Sequence, residues 1–213
     1  MRDLVIYGAG GLGREIRGLI RAIDPCCKRW NFTGFVDDSL PAGTSVADAF
    51  VVGDLAWLTS RSASTAVAMG LASPAAKAEL YARLKTNPHL EFPTLLHPSA
   101  YVETSATLAP GTIVSPFCFV AVDASLGLCT FLNTAAQVGH DSVVGDFCSV
   151  MPSVNISGNV IIGARTLIGA GSKILQGLGI GSDSTVGIGS VVLNDVSADC
   201  TVMGYPARVV KKR

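Results

Sequence analysis

The sequence predicts an α/β half-Rossmann domain followed by a parallel β-helix built from hexapeptide repeats. Three observations carry this expectation. Residues 4–13 read as strand, glycine-rich turn and helix start. From Leu96 onward an aliphatic residue recurs at every sixth position without a break as far as Val192. Between the two patterns lies a stretch with prolines at 88, 93 and 98. The predicted boundaries are 1–85 for the first domain, 86–95 for a linker and 96–213 for the solenoid with its tail.

In chain order, Leu4–Tyr7 is a short buried strand, and Gly8–Gly13 satisfies GxGxxG. The following helix places Leu12, Ile16, Leu19, Ile20 and Ile23 on one face. Glycines in such a turn let backbone N–H groups approach a phosphate closely, and the helix N-terminus favours negative charge. A second strand, Phe32–Val36, ends in Asp37 and Asp38, about where a dinucleotide fold places its ribose-binding acid. A short helix near Leu55–Leu58 precedes a third strand, Ala66–Met69, which runs into Gly70. Ser73 and Pro74 then read as N-cap and first position of a helix bearing Lys77, Leu80, Tyr81 and Leu84. Fewer than 100 residues precede the repeat, which is room for half of a dinucleotide fold and points to a sugar nucleotide rather than NAD.

The six-residue period builds the rest. Inward aliphatics at Leu96, Val102, Leu108 and onward to Val192 alternate with a second register of small residues four positions later, such as Ala136, Ser142 and Cys148. A hexapeptide repeat predicts three flat sides and eighteen residues per coil, so the segment holds between five and six coils. Ile113, Phe131 and Leu167 share an outer column, as do Val143 and Ile161, and such apolar columns predict self-association.

One stretch of the repeat carries chemistry. Gln137–Phe147 (QVGHDSVVGDF) sets a lone imidazole, His140, beside Asp141 inside the hexad rhythm. A neutral imidazole is a suitable general base near neutral pH, and a carboxylate that reaches the ring fixes its tautomer. One coil further on lies Gly158, whose backbone N–H has no side chain in its way. His89 and His97 read as structural, and without a paired nucleophile direct transfer is expected over a covalent intermediate.

Composition narrows the classes. Sixteen basic and sixteen acidic residues cancel, which leaves no field to attract nucleic acid or an anionic membrane. The chain is 49% hydrophobic and 15% charged, with no run long enough to span a membrane, so a soluble cytoplasmic protein is expected. Six cysteines lack metal-ligand spacing and read as reduced packing residues, with no metal expected.

Several motifs together resemble the bacterial sugar acyltransferases of the NeuD/PglD type, within the hexapeptide-repeat acyltransferases. They are Tyr7–Glu15 (YGAGGLGRE), His97–Ala100, Val138–Asp146, Ile156–Val160, Ile162–Ala170 and Gly204–Arg208. The resemblance implies a left-handed β-helix, a homotrimer, acetyl-CoA between neighbouring helices, and a nucleotide-activated amino sugar or a sialic acid as acceptor in polysaccharide biosynthesis. It gives His140, Asp141 and Gly158 catalytic roles, with Gly158 as oxyanion donor. It places Ser149, Gly158, Ala170, Ile188 and Arg208 near acetyl-CoA; Arg208 and the basic run Lys211–Arg213 read either as partners of its phosphates or as a solvated tail. Gly10, Gly11, Leu12, Asp37, Asp38 and Gly70 fall on nucleotide-sugar contacts. The sequence departs from the family at Leu12 and Ser149, where histidine is common. The leading expectation is an acetyl-CoA-dependent N-acetyltransferase of a nucleotide-linked amino sugar. Alternatives are a sugar or sialic acid O-acetyltransferase, a non-catalytic nucleotide-sugar-binding trimer, and an NAD-dependent oxidoreductase.

Overall fold

A computed structural model describes residues 2–26 and 28–212; Cys27 and Arg213 of the readings above lie outside the described residues. The amino-terminal elements are β1 (Arg2–Tyr7), α1 (Gly11–Ile23), β2 (Trp30–Val36), β3 (Ser45–Val46), β4 (Ala49–Gly53), α2 (Leu55–Thr59), β5 (Thr65–Met69), α3 (Pro74–Leu84) and β6 (Leu90–Glu91). The sheet order is β3-β4-β2-β1-β5-β6, parallel except for the β3–β4 hairpin, which the sequence reading did not foresee. The chain steps from β1 to β2 and β4 on one side, then crosses to β5 on the other. That reversal puts a crevice at the carboxyl ends of β1 and β5, where open α/β sheets bind ligands. Ser73 caps α3 by accepting from the Ala76 N–H, with Pro74 as its first residue. β6 draws part of the predicted linker into the sheet beside β5.

From Leu95 to Val192, seventeen two-residue strands form three parallel sheets. Each residue pairs with the one eighteen positions on, as Ile113 does with Phe131 and Ser149 with Leu167. We call the sides face one (Leu95–Leu96 and its successors), face two (Tyr101–Val102) and face three (Thr107–Leu108). The inward aliphatics from Val114 to Val192 are at most 2% exposed, each burial worth roughly 1.5–3 kcal/mol. Leu96 departs from this at 39%, because the first coil has no coil beneath it. The small register is polar for a reason. Thr130, Ser142 and Ser172 each donate to the carbonyl fifteen residues on, at 2.8, 2.9 and 2.9 Å, and so tie coil to coil. Turns recur every six residues with a left-handed residue, including Asp123, Asp141 and Asn159, types that tolerate this region.

The two domains share a packed junction, and this corrects one expectation. Ile113 and Phe131 are 2% and 3% exposed because they pack with Leu4, Ile16 and Leu19 of the amino-terminal domain. The chain itself covers the column at these two residues, which offer nothing to a second copy, while Leu167 of the same column stays partly exposed. Val143 and Ile161 on face three stay open, at 43% and 61% exposed. Lys77 of α3 is 1% exposed and clasps the junction, its Nζ donating to the carbonyls of Cys129 (3.0 Å) and Cys148 (2.7 Å). The chain closes with Cys200–Gly204, which extends face one and turns back as Ala207–Lys212, so the predicted tail is a paired strand.

Candidate active site

His140 follows the face-two strand Gln137–Val138 and precedes the face-three strand Val143–Val144, which puts it on the corner between those faces. Adjacent residues in an extended strand point to opposite sides. The φ of +57° at Asp141 breaks that alternation and turns its carboxylate onto the neighbouring ring. Asp141 Oδ2 lies 2.7 Å from His140 Nδ1. A carboxylate only accepts, so the neutral ring donates Nδ1–H and keeps its lone pair at Nε2. The ring lies against the next coil at Gly158: a methyl group there would strike Nε2 and come within 2.5 Å of Cε1. Only glycine fits under this imidazole. Among the described residues none accepts from the Gly158 N–H. An unpaired N–H on a buried residue is uncommon, and here it sits beside a half-exposed imidazole.

The amino-terminal crevice sorts its glycines by purpose. A Cβ on Gly13 would collide with the Gly8 carbonyl, and one on Gly70 would approach the Gly13 Cα to 2.9 Å, so these two let β1, α1 and β5 pack. Gly10 and Gly11 meet nothing within 4 Å, and Gly10 caps α1 without a side-chain bond. Space and free amides at a helix N-terminus suit a phosphate. Asp37 accepts from the Ala9 N–H (2.9 Å) and the Ser39 hydroxyl (2.6 Å). Although partial burial works the other way, these bonds hold its carboxyl below the usual range. Asp38 accepts from the Tyr7 hydroxyl (2.6 Å) and the Leu55 N–H (2.8 Å). Burial, then this bond to Asp38, pushes the Tyr7 phenol upward. Both aspartates therefore brace the rim of a cleft of about 410 Å³ that also includes Asp54 and Trp57.

The residues predicted to lie near a coenzyme divide. Ala170 and Ile188 stand one coil apart on the corner between faces one and two, with Ile188 72% exposed. Among the described residues neither N–H finds an acceptor. Arg208 is exposed on the closing hairpin. Ser149 is different: it lies on face one between Phe131 and Leu167, is 0% exposed, and its Oγ has no partner among the described residues. With face one covered there, Ser149 presents no surface to a coenzyme in this chain. The sequence reading placed Lys77 on α3 without assigning it the junction, although a lysine in line with Leu80 and Leu84 on the buried face was the signal.

A hexapeptide solenoid with an imidazole over a bare glycine at one corner, joined to half a nucleotide-binding fold, defines an acyltransferase of the left-handed β-helix class. Comparisons narrow this. Residues 3–84 match the PglD N-terminal domain and residues 136–176 the bacterial transferase hexapeptide (six repeats). Perosamine N-acetyltransferase from Caulobacter crescentus, in a mutant form bound to CoA and GDP-perosamine, is 27% identical over 99% of this chain and 98% of that one, with a TM-score of 0.88. The acetyltransferase domain of PglB from Neisseria gonorrhoeae, in complex with acetyl coenzyme A, is 29% identical over 98% of this chain and 99% of that one, at 0.88. WeeI from Acinetobacter baumannii is 26% identical over 99% and 100%, at 0.85. No curated protein sequence matches significantly. The chain thus joins a PglD-type amino-terminal domain to a bacterial transferase hexapeptide solenoid and is similar along nearly its whole length to these sugar acetyltransferases.

Proposed function

We propose that the protein is an acetyl-CoA-dependent N-acetyltransferase of a nucleotide-linked amino sugar, acting as a homotrimer by direct transfer. The observation that carries this is the imidazole at His140, with Nδ1 held by Asp141 and Nε2 free above Gly158. In the reaction the acceptor nitrogen attacks the thioester carbonyl carbon and passes a proton to Nε2. The tetrahedral oxygen accepts from the Gly158 N–H. As the C–S bond breaks, the imidazolium returns the proton to the leaving thiolate, and amide and free thiol result. Asp141 stabilises the imidazolium between the two transfers. The base contributes roughly 10²–10⁴ in rate and one oxyanion donor about 10²–10³.

The trimer is supported by the placement of the corners. His140 stands between faces two and three, whereas Ala170 and Ile188, with their open amides, stand between faces one and two. One coenzyme reaching both kinds of corner needs the second from another copy. Gly10, Gly11, Asp37, Asp38 and Gly70 supply the nucleotide end, and Arg208, exposed on the closing hairpin with one N–H donated to the Ala207 carbonyl, has further donors for a coenzyme phosphate. The ligands of the Caulobacter crescentus perosamine N-acetyltransferase, CoA and GDP-perosamine, support an amine acceptor over a hydroxyl one. The test is thiol release from acetyl-CoA with a panel of nucleotide amino sugars, GDP-perosamine among them, and of hydroxyl sugars including sialic acid. Release with an amino sugar is expected. Release with hydroxyl acceptors alone, or with none, overturns the reading.

A further inference from the structure

A cleft of about 580 Å³ opens at the far end of α1 from the glycine-rich turn. Arg17 and Arg21 line it from the second half of α1, Trp30 and Phe32 from the start of β2, and Asp48 from the turn between β3 and β4. The nucleotide crevice lies at the carboxyl ends of β1 and β5, so the two sites occupy opposite ends of the sheet. The volume is that of a small-molecule site.

Two donors in this cleft have no acceptor. Buried polar atoms are nearly always paired. Among the described residues three buried side-chain nitrogen or oxygen atoms lack a partner, and Arg17 Nε and Trp30 Nε1 are two of them. Trp30 is 4% exposed, and an indole N–H only donates. The Arg17 guanidinium stacks over the Phe32 ring, 4.2 Å from its centroid, which orients the fork of donors. A guanidinium grips an oxyanion best through two parallel bonds. Asp48 fills half of that grip: its Oδ2 lies 3.2 Å from an Nη of Arg17 and 3.4 Å from an Nη of Arg21. Both bonds are long and the Asp48 side chain is 43% exposed, so the bridge is weak. Asp24, the other acid on the wall, is committed elsewhere. Its carboxylate accepts from the Trp30, Lys28 and Arg29 N–H groups at 2.9, 2.9 and 2.8 Å, bonds that hold it below the usual carboxylate range. The Arg29 guanidinium, 4.9 Å from the Trp30 ring centroid, adds positive charge beside the cleft. Three guanidiniums thus face one loosely held carboxylate, a balance that favours an anion.

We propose that this cleft is a second anion-binding site, for a small metabolite carrying a phosphate or carboxylate group, with Asp48 holding the arginines until the ligand displaces it. One ligand oxygen accepts from Arg17 Nε, a second from the Nη that Asp48 vacates, and a further acceptor takes the Trp30 N–H. The site stands apart from the acetyl-transfer reading, and either can fail alone.

The sequence contains two tryptophans, Trp30 in this cleft and Trp57 at the nucleotide rim. In the full chain carrying Trp57→Phe, emission reports Trp30 alone. Inorganic pyrophosphate and citrate are each titrated at constant ionic strength, so that screening stays fixed. A saturable change in Trp30 emission is expected with one probe or both, and the responding probe tells phosphate from carboxylate. Arg17→Lys keeps the charge and loses the fork, and should weaken that binding at least about tenfold. Asp48→Asn removes the competing carboxylate and should tighten it by about threefold or more. Thermal melts confirm folding, and Arg17→Gln takes the place of an Arg17→Lys that does not fold. No response to either probe up to about 10 mM, an unaltered response in the Arg17 variant, or unchanged or weaker binding in Asp48→Asn overturns the site.

Discussion

Gly158→Ala is the most discriminating single change, because one methyl group separates the catalytic arrangement from the fold. A Cβ at 158 falls within 2.5 Å of His140 Cε1 and closer still to Nε2. The obstacle is a side chain about half exposed, so the ring can swing into solvent and the backbone need not move. An off-rotamer displacement costs of order 0.5–1.5 kcal/mol, and the loss of one exposed bond to Asp141 adds about as much. Stability should fall by about 1–2 kcal/mol, a shift of a few degrees in Tm. Turnover should fall much further: once Nε2 leaves the position over residue 158, base and oxyanion donor no longer face one reacting carbon, a loss of at least about a hundredfold. Steady-state thiol release beside a thermal melt measures both. Full activity in a folded Gly158→Ala would refute the reasoning.

Three further predictions follow from the same geometry. Gly10→Ala should leave stability within about 0.5 kcal/mol and weaken nucleotide binding, whereas Gly13→Ala, whose methyl meets the Gly8 carbonyl, should cost several kcal/mol; denaturation with ligand titration checks the pair. Burial lowers Lys77 to about 7, so between about pH 7 and 10 the folded chain binds fewer protons there than the unfolded chain. Stability should therefore rise with pH across that window, by up to about 1.4 kcal/mol per unit. Urea denaturation should show this rise in wild type and not in Lys77→Met, and parallel profiles would contradict it. Finally, His140→Ala and Ala170→Trp should each be inactive, yet co-expressed they should recover about a quarter of wild-type turnover, the share of clefts in a random trimer that join two intact corners. No recovery in mixed trimers would place the whole site within one copy.

The parts of the fold that repeat were the parts that could be read. Inward residues from Val114 to Val192 follow a strict six-residue period because each meets the same interior, and a period survives in sequence. What covers the outside does not. Ile113 and Phe131 share a column position with Leu167, and only the docking of α1 and β1 distinguishes a covered column from an exposed one. Ser149, in the same face-one column, is likewise closed. The β3–β4 hairpin lacks the length or alternation that marks a strand pair, since β3 has two residues. At the site, the spacing from His140 to Gly158 was legible because one coil is eighteen residues. The contact with Asp141 was not, because it depends on a left-handed φ that neighbouring corners assign equally to Phe147 and Arg165.

The central claim is that the His140 imidazole takes the acceptor's proton during acyl transfer. Its most direct measurement is the turnover of His140→Ala with acetyl-CoA and the preferred nucleotide amino sugar, at saturation and with the variant's melt unchanged. The account predicts a fall in kcat of at least about a hundredfold, with nucleotide-sugar binding preserved. A folded variant that turns over at the wild-type rate across the pH range would show that another group, or none, removes the proton.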